Sequence, residues 1–197
     1  MKKTNGKLKW LLLLLLLLCC CVGGVSIAVG YAASKALNKA KCIKEGPFLN
    51  LSSKNAAQST ASTYLDFNVN LAQDDSNLTC SHTNGDDKED TFPWWRLDLE
   101  DQYVITKITF LGRPGFPLRN DDLELRIGNF VEEGLGGVFF KNGLCGEFPG
   151  SNKLIIHFHF VCPKMLFGRY ITIQKVKISD SALCICGLTF EGHIFVP

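Results

Sequence analysis

Beyond Pro47 the chain never sustains the 3.6-residue period of an amphipathic helix. It runs instead in short alternating segments cut by glycine, proline and asparagine. Tyr103-Val-Ile-Thr-Lys-Ile-Thr-Phe110 alternates and places Val104, Ile108 and Phe110 on one face. Leu123 to Ile127 alternates too, Lys153 to Val161 reads as a longer strand, and Arg169 to Ile178 is β-branched through its centre. Leu183 to Phe190 closes the series. Turn residues cluster between these runs, at 112–117, 134–137 and 149–152. In Trp94-Trp-Arg-Leu-Asp-Leu99 the period of two sends Trp95, Leu97 and Leu99 to one face, which is the core face. The expected fold class is all-β, a jelly-roll β-sandwich.

A different texture precedes Pro47. Residues 1–9 form a basic tail with Lys2, Lys3, Lys7 and Lys9. From Trp10 to Ala33 no residue is charged, and Leu11 to Leu18 is unbroken leucine. At ~1.5 Å rise per residue such a helix crosses a hydrocarbon core of ~30 Å. The expectation is an N-terminal hydrophobic helix over 10–33 that anchors a type II membrane protein, with its C-terminal part outside the cell. A cleaved signal peptide, giving a secreted protein, is the alternative. Residues 34–46 form a polar stalk, and 47–193 form the folded domain. The formal charge of +2 comes from 21 basic and 19 acidic residues. Taking away the four leading lysines leaves 17 basic against those 19 acidic, so neither nucleic acid nor an anionic surface is an expected partner of the domain.

Three of the nine cysteines, Cys19, Cys20 and Cys21, lie in the apolar run. The other six (Cys42, Cys80, Cys145, Cys162, Cys184, Cys186) read as three disulfides of an exported domain, with 15 connectivities open. Two sequons occur, Asn50-Leu-Ser52 and Asn77-Leu-Thr79. His157 and His159 share a strand face at metal-like spacing but have no obvious third ligand, and an exposed face is the expectation. No nucleophile elbow, HExxH, phosphate loop or dinucleotide fingerprint occurs, so an enzyme is not expected.

Four segments carry a family resemblance over roughly residues 47–193: Thr79-Cys-Ser-His-Thr83, the Trp94–Leu99 string, Leu123-Glu-Leu-Arg-Ile-Gly-Asn129, and Phe167-Gly-Arg-Tyr-Ile-Thr-Ile-Gln174. They resemble the F-type lectins (fucolectin/tachylectin-4/pentraxin-1 domains), whose sandwich is galactose-binding/discoidin-like. The resemblance implies a carbohydrate-binding module for terminal fucose or a related glycan at the cell surface. It implies a site of one histidine and two arginines, here His82, Arg113 and Arg119. Guanidinium and imidazole groups suit vicinal hydroxyls. Two departures stand at the site. Gly115 replaces the family's Asp two residues after the first arginine, and Phe116-Pro117 replaces its adjacent cysteines, so Phe116 is expected to offer the apolar face. A sugarless protein-interaction or adhesion module is the alternative, and assembly with further copies is left open.

The resemblance also implies calcium as a structural clamp, with Asn70, Gln73, Asp75, Thr79, Cys186 and Gly187 at the ligand positions. Gly187 stands where the family has Glu, and Asp74 is the nearby substitute. It implies the disulfides Cys80–Cys186 and Cys145–Cys162. Cys42 and Cys184 are then left to pair with each other, with an intermolecular bond through Cys42 as the alternative.

Overall fold

The structure is a computed structural model, and it describes residues 53–62, 67–74, 76–85, 88–150 and 155–196. The basic tail, the apolar run with its expected helix, the stalk and Cys42 lie outside the described residues. Among the described residues no helix is long and apolar enough to cross a membrane.

Among the described residues eight strands form: β1 (Asn55–Gln58), β2 (Ser81–His82), β3 (Trp94–Leu111), β4 (Leu123–Gly128), β5 (Gly143–Phe148), β6 (His157–Lys175), β7 (Cys184–Ile185) and β8 (Leu188–Ile194). Two 3₁₀ turns, Val69–Ala72 and Pro117–Asn120, lie between them. All pairings are antiparallel, in the order β1-β3-β6-β4-β5 with β8 on β3, and β2 pairs separately with β7.

Strands β3 and β6 each fold back on themselves, and this turns one chain of pairings into two layers. Their register slips between Asp98↔Tyr170 and Tyr103↔Gly168. Glu100 takes a φ of 68° there, and Gly168 sits so close to Gly128 that a Cβ would come within 2.4 Å of its backbone. Only glycine fits that crossing. The two ends of β3 therefore return to one rim. Lys175 N–H donates to Pro93 O, just before β3, while its ammonium donates to Arg119 O. Gly112, just after β3, abuts the Asn120 side chain. One layer holds β1, the first part of β3, the last part of β6, β4 and β5. The other holds the first part of β6, the last part of β3, and β8. The result is an all-β sandwich of antiparallel strands.

Its core takes Trp95, Leu97 and Leu99 from the first part of β3, and Ile105, Ile108 and Phe110 from the last part. The alternation expected for Val104, Ile108 and Phe110 is broken. A register irregularity between Ile105 and Lys107 shifts the strand, so Ile105 enters the core cluster in place of Val104. Phe110 stacks on Phe158 and Phe160 at centroid distances of 4.5 and 6.1 Å. Burying each such side chain stabilises by about 1.5–3 kcal/mol. Trp94, on the opposite face, is also buried, because Phe139 packs on it and Gly134 O accepts its indole N–H. The expected strand over 183–190 is split by Gly187, whose φ of +90° ends β7 and starts β8 on a new course. Cys145–Cys162 ties β5 to the first part of β6, across the two layers.

Candidate functional site

The rim receives its histidine from the β2–β7 ladder. Cys80–Cys186 anchors the ladder, and the register Ser81↔Ile185, His82↔Cys184 puts His82 opposite Cys184. This bond spans a sequence separation of 106, and closing a loop of that order stabilises by about 4.7 kcal/mol in the entropic account. Thr83 extends the contact with N–H to Leu183 O and an Oγ1 that accepts from Leu183 N–H.

Arg119 arrives on the Pro117–Asn120 turn, and its neighbour Asn120 fixes that turn in place. The buried Asn120 amide donates to Cys184 O at 2.6 Å and accepts from Cys184 N–H at 3.1 Å. It thereby closes both backbone groups of the residue facing His82. Lys175, itself buried, holds Arg119 O at 3.2 Å and Ser181 Oγ at 2.8 Å. Burial pushes the Lys175 ammonium below its ordinary pKa, against the pull of Asp121, Asp122 and Asp180.

Arg119 Nη1 and His82 Nε2 are hydrogen-bonded at 2.5 Å, and His82 Nδ1 bonds Thr83 O. A guanidinium only donates, so Nε2 must be the acceptor and Nδ1 carries the proton. Burial holds the His82 imidazole below its ordinary value of 6.5; the Thr83 bond opposes this, and Arg119 and Arg113 add to it. His82 is therefore neutral at physiological pH.

Aromatic rings bring the second arginine in. Phe116 lies under both guanidiniums, 4.8 Å from Arg113 and 4.2 Å from Arg119. Phe67 lies 5.2 Å from Arg113 and stacks on His82 at 5.1 Å with planes 24° apart. His82, Arg113 and Arg119 thus converge, linked by two phenylalanines. Among the described residues the Arg113 guanidinium has no hydrogen bond or ion pair, while its carbonyl accepts from Phe116 N–H at 3.1 Å. A cleft of ≈ 290 Å³ opens beside His82 and Arg119, edged also by Asn84, Asp180 and Ser181.

Phe67, Asn120 and Lys175 were not singled out in the sequence. Phe67 lies in Tyr64-Leu-Asp-Phe-Asn-Val69, and nothing in that mixed run sets it apart. Asn120 reads as an ordinary turn residue, and nothing in Arg119-Asn-Asp-Asp122 marks it as buried. Cys184, expected to pair with Cys42, is a free thiol among the described residues, and Cys42 lies outside them. It is fully buried behind the rim, with its backbone clamped by Asn120 and its sulfur 3.6 Å from Arg119 Nη1. Burial pushes its thiol pKa up, and Arg119 opposes this. His157 and His159 are both exposed, and among the described residues no group of three His, Cys, Asp or Glu is placed to hold a metal.

The loop expected to take calcium does not fit the ion. Gln73 Nε2, a donor, bonds Lys54 O at 2.7 Å and Asn70 Oδ1 at 3.3 Å, where a cation would draw in oxygens alone. Thr79 Oγ1 donates to Asp74 Oδ2 at 2.6 Å, and Ser76 N–H takes Asp74 Oδ1. Gly187 offers no side-chain oxygen, and Asp75 lies outside the described residues. Among the described residues of this loop, only Gln73 Oε1 is a buried acceptor without a partner. Cys186, the remaining expected ligand residue, has its sulfur in the disulfide and its N–H on Leu111 O.

No protein-family model matches the chain. Among curated proteins it is 30% identical to a fucolectin of Anguilla anguilla over 166 residues, covering 80% of this chain and 92% of that one. It is 32% identical over 111 residues to Fucolectin-3 of Anguilla japonica, but spans only about half of that relative, 54% of its length. Among solved structures, an f-lectin (fucolectin) from Morone saxatilis serum superposes with a TM-score of 0.63 at 25% identity, over 75% of this chain and 50% of that chain. The lectin domain of lectinolysin, solved with Lewis B antigen, shares the fold with a TM-score of 0.55 at 18% identity, over 72% of this chain and 95% of that one. The sandwich, the two disulfides among the described residues and the identity across nearly all of the Anguilla anguilla fucolectin agree: the chain belongs to the F-type lectin family, and is a lectin-type domain.

Proposed function

We propose that the domain binds a terminal sugar, fucose or a related glycan, at the rim built by His82, Arg113 and Arg119. The carrying observation is their convergence through Phe67 and Phe116, which gathers two guanidiniums and an imidazole onto two shared rings. Arg113 has its guanidinium donors to offer vicinal hydroxyls, and Arg119 has donors beyond the one given to His82. The exposed part of Phe116 offers an apolar surface to a sugar methyl or ring face. Relatives of the chain are named fucolectins, which supports fucose over other sugars. A single rim of this kind binds weakly, so display of many copies at a cell surface, or as a secreted protein, supplies avidity.

One observation favours a second reading. Arg119 and His82 bond each other directly, so part of the donor set is already satisfied without a ligand. The domain would then act as a protein-interaction or adhesion module. A glycan array with the refolded domain separates the two. Binding of fucosides that Arg113→Ala and Arg119→Ala both abolish supports the sugar site, and an array blank for every glycan leaves the second reading.

A further inference from the structure

The turn between Asp74 and Cys80 carries the sequon Asn77-Leu78-Thr79, and its conformation is unusual in what it leaves to solvent. Leu78 is 95% exposed, the most exposed of the large apolar side chains. Asn77 is exposed beside it. The turn is held from within: Ser76 N–H and Thr79 Oγ1 both donate to Asp74, and Leu78 N–H donates to Ser76 Oγ. The Asn77 amide has one side against the protein. A Cβ placed on Gly187 would lie 2.8 Å from Asn77 Oδ1 but 4.0 Å from its Cγ, so the oxygen faces Gly187 and the nitrogen is turned away. An almost bare leucine on an otherwise polar turn is apolar surface with none of the described residues over it, and a covalent carbohydrate covers such a spot. Cys80, three residues on, is oxidised to Cys186, and disulfides of this kind belong to the compartments in which oligosaccharide is transferred to asparagine.

We propose that Asn77 is an N-glycosylation site. In the transfer, Asn77 Nδ2 attacks C1 of a lipid-diphosphate-linked oligosaccharide. The new C–N bond forms as the C–O bond to phosphate breaks, the lipid diphosphate leaves with that electron pair, and a base takes the amide proton. The glycan stands on the flank of the rim: Gly187 O accepts from Leu111 N–H at 3.1 Å, two residues before Arg113. It uses none of His82, Arg113 or Arg119. The inference shares with the proposed function only the export of the domain, and stands or falls apart from sugar binding.

The full chain is produced in cultured animal cells and treated with peptide-N-glycosidase F in H₂¹⁸O, and the tryptic peptides are weighed. Asn77 is expected to appear as ¹⁸O-labelled Asp, and Asn77→Gln to run one glycan smaller than the parent, with Asn50→Gln as the control for the other sequon. The Cys80–Cys186 bond in Asn77→Gln reports that the variant folds. Unlabelled Asn77 overturns the inference in either of two ways: with Cys80–Cys186 oxidised the exported domain escaped modification, and with both thiols reduced it was never exported.

Discussion

The arginine rim and the 70–79 loop both depart from the family at charged positions, yet the two have met the loss differently. At the rim a carboxylate is missing two residues after Arg113, where Gly115 stands, but both cations remain. Phe116 lies under the pair of guanidiniums, and Phe67 continues the stack to His82. Each such contact is worth ~0.5–1 kcal/mol at an exposed site, enough to bias rotamers without neutralising the charge. In the 70–79 loop the missing groups are themselves the ligands. Gln73 turns a donor toward Lys54 O and Asn70 Oδ1, and Asp74 bonds Ser76 and Thr79. A site made of cations survives the loss of its anion when rings can hold it. The 70–79 loop keeps the Asp74 carboxylate, and its described side chains spend their oxygens on the loop's own donors.

The contrast is broken most directly at Arg119. Arg119→Ala removes the donor bonded to His82 and the cation over Phe116; loss of charged hydrogen bonds of about 1.5–3 kcal/mol predicts at least a tenfold fall in fucoside affinity by calorimetry. Asn120→Ala tests the scaffold instead. It leaves the N–H and C=O of buried Cys184 unpaired, and about 1–3 kcal/mol for each exposed deficit predicts a clearly lower urea midpoint, with the rim displaced. Phe116→Ala sharpens the point about rings. Affinity falls several-fold, while the melting temperature falls by only a few degrees, since the ring is 45% exposed and outside the core.

Acid provides a smaller effect. His82 is held below 6.5 in the folded domain, so between that lower value and 6.5 the unfolded chain binds the extra proton. Stability is therefore full at and above pH 6.5 and is lost as pH falls through the folded value. Sugar affinity falls over the same window, because a protonated Nε2 can no longer accept from Arg119. His82→Gln removes the acid step in a pH series of melting curves. Calcium gives the smallest effect of all: adding it, or removing it with EDTA, is expected to leave the melting temperature unchanged, whereas a ligand bound only by the folded form would raise it.

Much of the sandwich was legible because its core strands obey a strict period. Trp95, Leu97 and Leu99 alternate, and all three are buried. Legibility failed where a backbone irregularity changes the period. Nothing local in Val104-Ile-Thr-Lys107 announces the slip that exchanges Val104 for Ile105 in the core. It failed again where long strands fold back, since residues 94–99 and 103–110 read as separate runs, as do 153–161 and 169–178, where the structure has single strands. The two arginines and the histidine of the rim were legible through their flanking segments. Their supports were not: Asn120 and Lys175 act through contacts 56 to 64 residues away in sequence, which leave no local pattern. The burial of Cys184 was decided in the same way, by packing behind His82 and Arg119, where counting the remaining cysteines had assigned it a partner.

The central claim is that His82, Arg113 and Arg119 grip one monosaccharide. It is tested most directly by titrating methyl α-L-fucoside into the ¹⁵N-labelled domain while observing the arginine side-chain and imidazole resonances. Saturable shifts confined to Arg113, Arg119 and His82, absent with methyl α-D-glucoside, are the predicted result. Silence at those three residues up to millimolar sugar, or shifts centred elsewhere on the sandwich, would contradict it.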